Sequence, residues 1–203
     1  MLNIAKISQK SIQNFRNNLS FLYKDFKLCQ YTTHVLHKPK NFAFIDAQNI
    51  TMGIRNMGWE LDWLKFRVYL TEKYYVDKAF VFIGYLAGNE KFYAKLRSFG
   101  FILIFKPVVH DNVGTIKGNC DGDMIMYIVS RMHNYDAAIV VTSDGDFYST
   151  VRLLRRRGKL RTVLSPNFHT CSKLLNKEAL GKIVYMNELS DKLQRVPKMK
   201  KHR

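Results

Sequence analysis

The apolar run Ala137-Ala138-Ile139-Val140-Val141 leads through Thr142-Ser143 into Asp144-Gly145-Asp146-Phe147. Two carboxylates two residues apart, where a buried strand gives way to a helix, can aim their oxygens at one hard cation such as Mg²⁺ or Mn²⁺. The same residues also suit an Asp-Gly turn with an Asp helix cap, so both readings stand on this segment alone. Asp46 repeats the situation. It follows the short aromatic and branched run Asn41-Phe42-Ala43-Phe44-Ile45, and Asn49 comes three residues later. A solvated loop acid is its plainer alternative. A third place is Lys117-Gly118-Asn119-Cys120-Asp121-Gly122-Asp123, followed by Met124, Ile125, Ile128, Val129 and Met132 at helical spacing. Asp121 and Asp123 therefore sit at a helix start, where carboxylates are also favoured by exposed amides and the dipole.

Several carboxylates gathered in one cleft repel one another, and protonation or a divalent cation must relieve them. A bound Mg²⁺ or Mn²⁺ could lower the pKa of a water, orient it at a phosphodiester and stabilise charge developing on phosphorus. No Ser-His-Asp or Cys-His pattern offers a competing nucleophile, and Ser143 reads as a turn or hydrogen-bonding residue. The six histidines form no metal-ligand pair at helical spacing. Lys117, in a glycine-containing turn four residues before Asp121, could offset the acids or meet a scissile phosphate. Arg152, Arg155 and Arg156 lie at i, i+3 and i+4 and share a helix face. They suit phosphate contacts, which carry little sequence information, or a solvated outer face.

Alternating strand and helix signals supply the elements that must position these groups. After the first strand, a helix is expected over 59–75 and a strand within 78–85. A helix over 90–99 is stopped by Gly100, and a strand follows over 101–105. A loop over 108–118 then precedes the helix that begins near Asp121. The strand 137–141 leads to a helix over 147–157, a strand over 160–164, a short helix over 171–175, a strand over 183–185 and a last helix over 187–193. This alternation predicts a parallel sheet with right-handed crossovers.

The charge is unevenly spread. Net charge is +17. Residues 1–40 hold 7 Lys/Arg against 1 acid, and residues 191–203 hold 6 against 1. The chain therefore divides into a basic N-terminal helical extension (1–40), a domain (41–190) and a basic tail (191–203), a distribution that suits a polyanionic partner. In the extension, Ile12, Phe15, Leu19, Leu22 and Phe26 trace an amphipathic helix. It is expected to pack on the domain or to join a homodimer. No apolar run reaches the roughly 20 residues of a membrane span. Three widely spaced cysteines, Cys29, Cys120 and Cys171, suggest neither a disulfide framework nor a zinc site, and a cytoplasmic location is the expectation.

Taken in order, Phe44-Ile45-Asp46-Ala47-Gln48-Asn49, Lys117-Gly118-Asn119-Cys120-Asp121 and Thr142-Ser143-Asp144-Gly145-Asp146-Phe147 resemble the NYN domain, a branch of the PIN-like nuclease superfamily, in its LabA-like form. The resemblance runs from about Asn41 to about Leu189. It implies a Rossmann-like three-layer α/β/α fold and a metal-dependent site that cleaves RNA. Asp46, Asp121, Asp144 and Asp146 would be the catalytic and metal-binding acids for Mg²⁺ or Mn²⁺, supported by Asn49, Lys117, Asp123 and Ser143. Ala47 departs from the glycine common in the family. Tyr127 stands where many relatives carry a further Asp, a charge that Asp123 could replace. Two other readings compete with a ribonuclease: a non-catalytic RNA-binding module on the same fold, and a phosphotransfer enzyme with Asp46 as nucleophile. The latter lacks a second acid in Asp46-Ala47-Gln48-Asn49.

Overall fold

The computed structural model describes residues 39–106, 109–110, 116–117 and 121–196. The expected N-terminal helix, with the homodimer it suggested, and the tail beyond Val196 lie outside these residues. Six strands form one all-parallel sheet: β1 (Asn41–Asp46), β2 (Val76–Gly84), β3 (Phe101–Lys106), β6 (Ala138–Val141), β7 (Leu160–Ser165) and β8 (Ile183–Tyr185). Two short strands, β4 (Val109–His110) and β5 (Ile116–Lys117), pair antiparallel within the segment expected to be a plain loop.

The helices are α1 (Ala47–Arg55), α2 (Trp63–Tyr74), α3 (Glu90–Ser98), α4 (Asp121–Ser130), α5 (Tyr148–Arg156), α6 (Lys173–Ala179) and α7 (Ser190–Leu193). They cover both faces of the sheet, because the strands alternate two apolar sets. Ala43, Ile45, Val81, Ile139 and Val141 meet Ile50 and Ile54 of α1, Phe66 and Leu70 of α2 and Leu96 of α3. Phe42, Phe44, Phe80, Phe82 and Val140 meet Met124 and Ile128 of α4, Val151 and Leu154 of α5 and Leu175 of α6. Strands apolar on both sides are what a sheet sandwiched between helices requires. The result is the parallel sheet that the alternation predicted, in the three-layer α/β/α architecture that the resemblance implied.

The strand order is β3-β2-β1-β6-β7-β8. The chain builds outward from β1 to β3, returns to lay β6 against the other side of β1, and builds outward again. The helix after β1 goes to one face and the helix after β6 to the other. A crevice therefore opens between these two strand ends, at the point where open α/β sheets bind their ligands. Ile45 stands beside Val141 in the ladder, so Asp46 and the 142–144 segment emerge together at that crevice.

Helix α1 was not foreseen; only 59–75 was expected to be helical after the first strand, and there the helix begins at Trp63. The sequence of α1, Ala47-Gln48-Asn49-Ile50-Thr51-Met52-Gly53-Ile54-Arg55, is rich in β-branched residues and glycine, which favour a helix little. Burial of Ala47, Ile50 and Ile54 on one face stabilises it instead. So does its cap: the Asn49 N–H donates to Asp46 Oδ1 at 3.0 Å.

Candidate active site

Asp46, Asp121 and Asp144 come from three separate elements and line one cleft of about 580 Å³ at the crevice. Asp46 ends β1 and is almost fully buried. Asp121 is the first residue of α4. Asp144 follows β6 and accepts the Asp146 N–H at 3.0 Å, opening a 3₁₀ turn at Gly145–Phe147. The capping bonds suggested by the plainer readings are thus present for Asp46 and Asp144, and each uses one carboxylate oxygen. Asp46, however, is a buried acid rather than a solvated loop residue.

Asn49 joins the two sides of the crevice. Its Oδ1 accepts both the Ser143 N–H at 2.8 Å and the Ser143 hydroxyl at 2.9 Å. One amide on α1 therefore fixes the segment that carries Asp144. The Thr142 hydroxyl accepts the Asp144 N–H at 3.1 Å. The walls also close by contact. A Cβ added to Gly53 would meet Pro166 Cβ at 2.6 Å, and one added to Gly145 would meet Ser172 Oγ at 2.7 Å. Glycine at both positions lets the loops after β6 and β7 approach their neighbours.

The carboxylates act on one another. The Asp46 carboxyl is pushed up from its ordinary 3.8 to about 6, first by burial and then by the negative charges of Asp121 and Asp144, against the lowering effect of the Asn49 and Gln48 N–H groups. A hard cation fits this donor set of carboxylate, amide and hydroxyl oxygens. Among the described residues, no three His, Cys, Asp or Glu side chains are grouped closely enough to clasp such an ion directly.

Other residues singled out in the sequence lie elsewhere. Asp146 is exposed and does not line the cleft. The Asp123 carboxylate is 3.4 Å from Lys106 Nζ, at the end of β3. Lys117 falls in β5, where only the backbone is described. Arg152 and Arg155 both pair with Glu178 of α6, at 2.7 and 3.5 Å, which leaves Arg156 as the exposed member of that trio. The Tyr127 ring packs 5.0 Å from Phe80 and 5.5 Å from Phe82, with the Arg131 guanidinium 4.2 Å from its centre. It is a half-buried aromatic residue packed on the edge of the core with a cation over its face. The cleft also takes in Gln48 and Met52 of α1, its C-cap Asn56, and Thr170 and Ser172 of the loop after β7. The sequence reading gave none of these five a role, although loops after central strands were the place to look.

Comparison with known proteins agrees with this geometry. The NYN domain family matches residues 42–187, and the chain belongs to that family, a branch of the PIN-like nuclease superfamily. The chain is similar to the crystal structure of a protein of unknown function from Vibrio parahaemolyticus, with 25% identity and a TM-score of 0.66, over 78% of this chain and 98% of that one. No curated protein matches. Among the described residues, no helix is long and apolar enough to cross a membrane.

Proposed function

We propose that the protein is a divalent-metal-dependent ribonuclease that hydrolyses RNA phosphodiester bonds in the cleft of Asp46, Asp121 and Asp144. The observation that carries the reading is the convergence of three carboxylates, from β1, α4 and the β6–α5 turn, at the switch point of the sheet. It is supported by the raised pKa of Asp46, which burial sets first and the neighbouring carboxylates of Asp121 and Asp144 add to. The three acids would hold a hydrated Mg²⁺ or Mn²⁺ largely through its waters, as Mg²⁺ in particular favours. When bound, the ion supplies an activated water and charge stabilisation at phosphorus. Asn49 keeps Ser143 and Asp144 in place, and Asp46 and Asp144 each spend one oxygen on a backbone N–H, which fixes the direction of the other. The basic ends of the chain would hold the RNA backbone, with Arg156 as a further contact.

One observation favours a second reading, a non-catalytic RNA-binding module on the same fold: the lack of a closely grouped metal-ligating trio among the described residues. A nuclease assay on single-stranded and structured RNA, with Mn²⁺ and with chelator, separates the two. Cleavage that requires Mn²⁺ is expected. RNA binding without cleavage under any divalent ion would establish the module instead.

A further inference from the structure

The lining of the cleft poses a problem for binding a nucleic acid. Among the described residues it holds three carboxylates and no Lys or Arg, so these side chains provide no direct cationic contact for phosphate. Uncharged contacts remain, and the largest ordered set is on α1 and its C-cap Asn56, which keeps helical backbone angles. Gln48, Met52 and Asn56 are spaced four residues apart, so they lie in a row along one face, about 6 Å from each to the next. All three are exposed and all three face the cleft. The opposite face of the helix, Ala47, Ile50 and Ile54, is buried in the core. Met52 keeps 55% of its surface exposed between the two amides, and Gln48 Nε2 rests 3.8 Å from its sulfur. Thr170 and Ser172 of the loop after β7 add hydroxyls and small side chains to the lining.

An amide carries a donor and an acceptor side by side, the pattern that base edges present. A thioether is a polarisable apolar surface that adapts to a flat ring. We infer that the Gln48–Met52–Asn56 row reads an unpaired base of single-stranded RNA, beside the scissile phosphate, with the ring laid on Met52 and its edge hydrogen-bonded by the two amides. The row makes the site selective for base identity, a property that phosphate contacts cannot give. A paired base cannot engage it, because its edge is occupied and its ring is stacked. This inference rests on the reading of the cleft as an RNA site.

The test is binding, kept separate from cleavage. The full-length chain with Asp144→Asn is incubated with a randomised single-stranded RNA pool, and the bound fraction is sequenced. A preference of about tenfold for one base at one or two adjacent positions is expected, the size of one well-made amide pair. In the Gln48→Ala/Asn56→Ala variant that preference falls to less than about twofold while affinity for the pool as a whole is largely kept, since phosphate contacts dominate it. Met52→Ala should weaken binding of all bases about fivefold, and Met52→Leu should restore it. The three positions are exposed, so melting curves should match the parent and exclude misfolding. An absent preference, or one unchanged in the double variant, overturns the inference. A preference in a protein whose wild type cuts no RNA would preserve the inference and remove the nuclease. Cleavage without any base preference would do the reverse.

Discussion

The chain contains the triplet Asp-Gly-Asp twice, at 121–123 and 144–146, and the two copies serve one cleft from different elements. The first begins α4; the second follows β6 through a 3₁₀ turn. In each, the leading acid lines the cleft and the trailing acid does not. Asp123 turns to Lys106 at 3.4 Å, and Asp146 is exposed on its turn. The glycines differ more. Nothing lies within 4 Å of a Cβ built on Gly122, whereas one built on Gly145 meets Ser172 Oγ at 2.7 Å. Identical triplets thus share a leading carboxylate in the cleft and a trailing one outside it, and differ in the surroundings of their glycines. Backbone direction at an element boundary, not the acid spacing, decides which oxygen reaches the site.

The largest expected effect separates leading from trailing acids. Asp144→Asn and Asp121→Asn should each lower Mn²⁺-dependent RNA cleavage about 10- to 100-fold, the range for loss of a carboxylate that holds an ion through its waters. Asp146→Asn and Asp123→Asn should stay within about threefold of the parent. Single-turnover cleavage of a labelled RNA checks all four. Equal loss in Asp144→Asn and Asp146→Asn would show that the second triplet acts as a pair, against its geometry.

Next in size is the pH dependence set by Asp46, which the leading acids repel. Its folded pKa of about 6 lies above the ordinary 3.8. Metal-free protein is therefore most favoured by this group below pH 3.8, where both folded and unfolded chains are protonated. Stability is lost as pH rises through about 6, by about 3 kcal/mol in all. Urea titrations between pH 3.5 and 7.5, compared with Asp46→Asn, isolate this contribution from other groups. The variant should keep the Asn49 cap through its amide oxygen and be the more stable protein at pH 7 without metal. Asp121→Asn or Asp144→Asn should bring the transition toward lower pH, and Asp123→Asn or Asp146→Asn should leave it in place. A transition that ignores the leading acids would mean that burial alone sets it.

How much of this was legible in the sequence follows the range of the interactions involved. Strands that are apolar on both faces announce themselves locally, and so do the glycine-stopped helices before Gly100 and Gly158, both with positive φ. The gathering of Asp46, Asp121 and Asp144 in one cleft was reached through an ordered resemblance, not through local pattern. Helix α1 was missed because Ile50, Thr51, Gly53 and Ile54 favour a helix weakly; the Asp46 cap followed by apolar positions 47, 50 and 54 was the available signal. The partners of Asp123, Arg152 and Arg155 could not be read. Lys106 is 17 residues from Asp123 along the chain, and Glu178 is 26 residues from Arg152, so only the folded sheet brings them together. The packing of Tyr127 on Phe80 and Phe82 could not be read either, because a helix position alone does not reveal the aromatic cluster beneath it.

The smallest effects are expected at the two glycines, and they have opposite signs. Gly122 is the second residue of α4, its φ is not positive, and its surroundings are open. Alanine there reduces the freedom of the unfolded chain without a clash, so Gly122→Ala should stabilise by about 0.5–1 kcal/mol. Gly145 also lacks a positive φ, so its need for glycine is steric rather than conformational. The methyl of Gly145→Ala would push against Ser172, whose N–H donates to the Ser143 carbonyl at 3.0 Å and whose hydroxyl accepts the Leu175 N–H at 3.5 Å at the start of α6. Relief must move either the Asp144 turn or the α6 cap, at a cost of about 1–2 kcal/mol. Thermal melts of the two variants check the signs. Ser172→Gly combined with Gly145→Ala should recover part of the loss, because the hydroxyl that clashes is removed, although the α6 cap goes with it. If Gly145→Ala proves as harmless as Gly122→Ala, the loops after β6 and β7 yield to each other, and the tight approach between them is not what holds Asp144 in the cleft.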